Sequence, residues 1–152
     1  MGKIEALLAR MEGQRVYFDA NYLIYFFDRR EPFFQAVTPF FIACDAGKIF
    51  GFTGDAAVAE LMFYPYKTKN ETEIAKGKAF FARENFLSVQ SHNADTFDLA
   101  AQLGAKRGMK LIDALHYATA LKAGCSFFLS NDAGIKSDAL MEVIAINTLV
   151  KN

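Results

Sequence analysis

Apolar positions along this chain follow two rhythms. Between residues 3 and 12, Ile4, Leu7, Leu8 and Met11 recur at helical spacing, and Gly13 supplies a stop. Residues 14–18 form a compact run that reads as a buried strand. The pattern then predicts a helix from about Tyr22 to Phe27 and another from about Pro32 to Ala46, ended by Gly47. Pro32 suits a first turn, whereas Pro39 is expected to kink or interrupt its helix. Ile49 to Thr53 reads as a second strand closed by Gly54. Asp55 can cap a helix running to about Phe63, with Pro65 disturbing its end. A charged amphipathic helix over 71–84 precedes a short strand from Phe86 to Gln90. Helices over 94–107 and 111–123, divided by Gly108, lead to a strand from Ser126 to Ser130. A short helix over about 133–139 and a last strand from Glu142 to Ile146 complete the pattern.

Five short strands separated by helices imply an α/β fold. The expected architecture is a three-layer α/β/α sandwich with a central, mostly parallel five-stranded sheet covered on both faces, related to the Rossmann type. The 152 residues contain no repeat, low-complexity tract or Pro/Gly/Ser linker, so residues 1–152 are read as a single domain. Hydrophobic residues at 53% against 22% charged describe a folded globular chain. The 17 basic and 17 acidic residues cancel, which argues against nucleic-acid binding by bulk charge. A local basic patch remains open. Lys67, Lys69, Lys76, Lys78 and Arg83 form one cluster, and Lys106, Arg107 and Lys110 form another. Solvated helix faces are the simpler account of most of them. Cys44 and Cys125 suggest small core residues rather than a disulfide framework, and the reduced cytoplasm is the expected compartment. No apolar stretch reaches the ~20 residues of a membrane span.

The chemistry concentrates in four acids. Asp19 closes the run Val16-Tyr17-Phe18, and Asp132 closes Phe127-Phe128-Leu129-Ser130-Asn131. Asp113 opens the helix at 111, and Glu60 lies in the second turn of the helix beginning near Asp55. In an alternating α/β chain the carboxyl ends of the strands form the ligand-binding edge. Carboxylates gathered there repel one another unless a hard cation binds between them. Taken singly, Asp19, Asp113 and Asp132 are each explained by helix capping or by the helix dipole. Glu60 gains little from capping, and Ala56 and Ala57 leave its helix face open. Asn21 could orient a carboxylate or hold a water, and Ser130 offers a hydroxyl to the same place; turn chemistry is the alternative for both.

These stretches carry a family resemblance. Phe18-Asp19-Ala20-Asn21, Val58-Ala59-Glu60-Leu61, Leu111-Ile112-Asp113-Ala114-Leu115-His116-Tyr117-Ala118-Thr119-Ala120 and Leu129-Ser130-Asn131-Asp132 together resemble the PIN-domain nucleases, and within them the VapC-type toxins of prokaryotic toxin–antitoxin pairs. The resemblance runs from about Val16 to Ile146; the family more often has Thr at the positions of Ala20 and Ser130. It implies a PIN-like fold and a divalent-metal-dependent endoribonuclease using Mg2+ or Mn2+. Asp19 and Asp113 would be direct ligands, with Glu60 and Asp132 binding through waters or holding a second ion. It further implies an RNA substrate, an antitoxin partner and a homodimer. A housekeeping PIN-type RNA-processing nuclease and a non-catalytic acidic-pocket interaction module are the alternatives.

Two histidines and one aromatic tract complete the reading. His116, three residues after Asp113, is expected to pack or to support the acids rather than bind metal. His92 has no companion ligands and reads as a loop histidine. Tyr22, Tyr25, Phe26, Phe27, Phe33, Phe34, Phe40, Phe41, Phe50 and Phe52 crowd one stretch. Neighbouring helical residues diverge by about 100°, so some rings are expected at the surface, as a partner groove or a homodimer face; core packing is the equal alternative.

Overall fold

The computed structural model describes residues 2–131 and 134–150. Its centre is a five-stranded, wholly parallel sheet in the order β3-β2-β1-β4-β5, formed by β1 (Arg15–Phe18), β2 (Phe50–Gly54), β3 (Leu87–Gln90), β4 (Phe127–Ser130) and β5 (Glu142–Ala145). The helices are α1 (Lys3–Met11), α2 (Ala20–Phe27), α3 (Phe33–Asp45), α4 (Asp55–Lys67), α5 (Glu71–Ala82), α6 (Ala94–Arg107) and α7 (Leu111–Lys122). A short 3-10 turn, Ile146–Thr148, follows β5.

Strand period sorts the core into two layers. Val16, Phe18, Phe127 and Leu129 point to one face, where they meet Leu7, Leu23, Val37, Phe40 and Leu61 from the first four helices. Tyr17 and Phe128 point to the other face and meet Tyr117 of α7. Ala100, Ala114 and Ala118 close the α6–α7 seam behind it. Burial on both faces explains why the strands read as unbroken apolar runs. The expected three-layer architecture and parallel sheet are therefore observed.

Several local expectations are corrected. Pro39 does not interrupt α3, which runs on through it. The carbonyl deprived of its partner by Pro39 belongs to exposed Gln35, where water can serve it. Likewise α4 continues past Pro65 to Lys67, where the Thr68 hydroxyl donates to the Tyr64 carbonyl. Asp55 does not cap α4: Gly54 holds the cap position, and the ring Nε2 of His92 accepts the Ala56 N–H at 3.0 Å. His92 is thus in a loop but has a structural task. The helix expected over 133–139 is absent from its described part, 134–139. There the Asp138 carboxylate accepts the N–H groups of Leu140 and Met141, and Ser137 Oγ accepts that of Val143. These side chains satisfy the backbone donors that lead into β5.

The aromatic tract also resolves mainly as core. Tyr22, Phe40 and Phe41 are buried, and Phe26 stacks on Phe34 and Phe41 at 5.7 and 4.2 Å. Phe80 of α5 covers Phe26 and Phe27 from outside, so α2 is enclosed on more than one side. Of the ten rings only Phe50 is exposed. Among the described residues outside that tract, the exposed rings are Phe63, Tyr64 and Tyr66 on α4 and Phe97 on α6. Both cysteines are free and buried, and burial pushes each thiol up to about 12. Among the described residues, no helix is long and apolar enough to cross a membrane.

Candidate functional site

The strand order reverses direction at β1. The chain steps from β1 to β2 to β3 on one side, then returns to lay β4 and β5 on the other. Such a switch point opens a crevice at the carboxyl ends of the two strands. Asp19 follows β1 immediately, and Ser130 is the last residue of β4. They meet in this crevice: Ser130 Oγ donates to Asp19 Oδ2 at 2.7 Å. The other carboxylate oxygen, Oδ1, accepts the Ala20 N–H at 2.8 Å. Asp19 is therefore an N-cap of α2 and a crevice acid at once.

Asp19 is only 5% exposed. Burial raises its pKa, and the nearby His116, the Ser130 hydroxyl and the Ala20 amide offset this in part. Such a carboxylate gains from a cation placed beside it. The same cavity, of ≈ 230 Å³, is lined by Ala20, Asn21, Ile24, Glu60, Ile112, Asp113 and His116. Glu60 reaches it from the second turn of α4, and Asp113 from the first turn of α7. Asn21 Oδ1 accepts the Asn131 N–H at 3.2 Å, tying α2 to the end of β4. The structure thus brings Asp19, Glu60, Asp113, Asn21 and Ser130 to one place. Asp132 lies outside the described residues.

His116 is at the centre of the group. Its side chain is 2% exposed; Nδ1 lies 2.8 Å from the Tyr17 hydroxyl, and Nε2 lies 3.0 Å from Glu60 Oε1 and 3.7 Å from Asp19 Oδ1. Burial depresses its pKa, but the Glu60 hydrogen bond and the charges of Asp19, Glu60 and Asp113 outweigh this and raise it overall. His92 stands edge-on to it at 6.0 Å and is shifted downward by its own burial and by the neighbouring imidazole. The sequence flagged His116 only by its spacing from Asp113. Tyr17 carried no sequence signal, because a tyrosine in an apolar strand looks like any core ring.

Oxygen donors dominate the cavity, which suits a hard divalent cation such as Mg2+ or Mn2+ and not a thiophilic metal. Among the described residues, no three His, Cys, Asp or Glu side chains converge into a ready ligand cluster, and Glu60 is drawn onto His116. The donor set therefore fits an ion held by one or two carboxylates and completed by waters.

A groove of ≈ 500 Å³ adjoins the cavity and shares Glu60 and Ile24 with it. Arg29, Arg30, Tyr64 and Lys76 line it, and Tyr64 is 68% exposed. Three of the eight basic residues flagged in the sequence are paired with acids. Lys76 meets Glu73, Arg83 meets Asp45, and Arg107 meets Asp138.

A family model described as PIN domain matches residues 16–138. No curated protein matches the chain. Among solved structures, the VapC20 toxin of Mycobacterium tuberculosis, described as sarcin–ricin loop cleaving, aligns with a TM-score of 0.59 at 14% identity, over 74% of this chain and 86% of its own. A toxin–antitoxin complex from Klebsiella pneumoniae aligns at 0.64 and 18% identity, over 86% and 97%. VapBC2 from Rickettsia felis, bound to a DNA fragment from its promoter, aligns at 0.66 and 14% identity, over 86% and 98%. At these identities the likeness is one of fold.

Proposed function

Taking as premise that this chain belongs to the PIN-domain family, we propose that it is a divalent-metal-dependent endoribonuclease and the toxin of a toxin–antitoxin pair. One observation supports this most: Asp19, Glu60 and Asp113, from three separate elements, line a single cavity at the sheet's switch point. Asp19 and Asp113 are assigned as direct ligands of Mg2+ or Mn2+, with Glu60 and Asp132 acting through waters or on a second ion. When bound, such an ion supplies an activated water and neutralises charge on the phosphate.

The chain's own residues do the rest. Ser130 and the Ala20 amide fix both oxygens of Asp19, so its orientation does not depend on the substrate. Burial of Asp19 keeps competing water from its inner side. Asn21 joins α2 to the end of β4 and so holds the crevice walls together. The groove beside Glu60 offers Tyr64 as a stacking surface and Arg29 as a cation for a single-stranded RNA, while Arg30 and Lys76 are shared with Asp28 and Glu73 on its walls.

An antitoxin protein and a second copy of the chain are the proposed partners. Structural relatives that are toxin–antitoxin complexes support the first. The exposed rings of α4, rather than the enclosed aromatic tract, are where such contacts fit. The activity is tested by incubating structured and unstructured RNA with the protein and Mg2+ or Mn2+, with chelator as control. Chelator-sensitive cleavage is expected, and its absence would remove the reading.

A further inference from the structure

We propose that His116 is a positioning residue of this site: anchored through Nδ1 by the Tyr17 hydroxyl, it presents a fixed Nε2–H that holds the Glu60 carboxylate at the cavity it shares with Asp19 and Asp113. The inference rests on reading Glu60 as part of the nuclease site.

Glu60 needs such a partner. Its side chain is 43% exposed and reaches the cavity from the outer surface of α4. A flexible glutamate without a fixed donor would spread over several rotamers. His116 has the opposite character. It sits inside α7 between buried Leu115 and Tyr117, and its ring is almost wholly enclosed.

The hydrogen-bond directions follow from donor chemistry. An ionised carboxylate only accepts, so the 3.0 Å contact with Glu60 requires a proton on Nε2. In the neutral ring Nδ1 is then the acceptor, and the Tyr17 hydroxyl at 2.8 Å is its donor. Tyr17 is itself fully buried in β1 and stacked on Phe128 at 5.2 Å. The chain Tyr17–His116–Glu60 therefore runs from the rigid sheet to an exposed acid.

Neighbouring positions leave room for this chain. A Cβ at Gly54 would lie 2.7 Å from the Tyr17 hydroxyl and 2.6 Å from His92 Cε1. His92 does not compete for Glu60, because its Nε2 takes the Ala56 N–H and its Nδ1 meets Thr119 Oγ1 at 2.8 Å. A histidine that merely packed would need neither the phenol behind it nor the acid ahead of it.

The test combines nitrogen-15 NMR of the His116 ring in the parent protein with His116→Leu, His116→Gln and Tyr17→Phe variants. Mn2+ affinity is measured by electron paramagnetic resonance, and kcat and KM on RNA are measured separately. The neutral ring is expected to carry its proton on Nε2. His116→Leu should weaken Mn2+ binding by about 10–100-fold, the usual range for residues that orient ligands, and lower kcat more than KM. His116→Gln keeps an N–H near the place of Nε2 and should recover most of both, with Tyr17→Phe intermediate. A neutral ring protonated on Nδ1 would overturn the inference, even if no His116 variant folds. So would a folded His116→Leu that binds Mn2+ and cuts RNA like the parent. If folded Glu60→Gln cleaves normally while the Nε2 proton is found as expected, the failure lies in the role given to Glu60 and not in its contact with His116.

Discussion

At the scale of single residues, Asp19 carries the account. It is a cap and a crevice acid together, which the sequence could present only as alternatives. Asp19→Asn keeps a side-chain oxygen for the Ala20 amide and removes a buried charge, so the variant is expected to melt no lower than the parent in the absence of metal. Ser130→Ala leaves the acid in place but frees one of its oxygens. Divalent-dependent cleavage should fall by about 10-fold, at the lower end of what such supporting bonds contribute, while the melting temperature changes little. An unchanged rate would mean that Ser130 does not orient Asp19. Asp19 and Asp113 were legible because one ends a strand and the other opens a helix, and Glu60 because capping does not explain it. Their supporting bonds were not, because Tyr17 and His116 are 99 positions apart and His116 and Glu60 are 56 apart. Only the folded crossing of α4, α7 and β1 shows that these residues meet.

At the scale of elements, strand positions were read well because burial on both sheet faces writes them as apolar runs. Helix ends were read less well. Pro39 and Pro65 suggested breaks where the helices run on, and the described part of 133–139 is not helical where local pattern favoured a helix. Asp138 ties this segment to α6 and α7, accepting from the Tyr117 hydroxyl, the Leu140 and Met141 amides and Arg107. Burial alone would raise its carboxyl, but these donors hold it below the usual carboxylate range. A depressed folded-state pKa contributes stability above the unfolded value, lost as pH falls through the folded one. Asp138→Ala should therefore cost about 1–2 kcal/mol at pH 7, and the gap between the denaturation curves of the two proteins should begin to narrow near about pH 4 and close only as pH falls through the depressed folded-state value. A gap that persists at low pH would point to packing instead. The α4–α5 contact makes a second case. A Cβ at Gly77 would lie 2.3 Å from Met62 Sδ, so Gly77→Val should destabilise by about 1–3 kcal/mol in urea unfolding unless flexible Met62 moves aside.

At the scale of the whole molecule, zero net charge leaves recognition to local features, and Lys76, Arg83 and Arg107 are already paired with acids. The groove that joins the cavity at Glu60 and the exposed rings of α4 are the surfaces proposed for RNA and protein partners. If the proposed homodimer uses those rings, light scattering should give a dimer mass for the parent and a monomer for Phe63→Lys with Tyr66→Lys; a parent monomer at all concentrations would remove that partner. Sequence order located the sheet edge where the acids gather, but it left the aromatic tract open between core and interface, because the enclosure of α2 by α3 and α5 is a property of the assembled layers. The central claim remains that the acid cavity at the switch point cuts RNA with a divalent ion. Its most direct measurement is RNA cleavage by parent and Asp19→Asn proteins, both verified as folded, with Mn2+ or Mg2+ and with chelator. The account predicts cleavage by the parent with metal alone, and none by Asp19→Asn under either condition. Equal cleavage by the folded variant would contradict it.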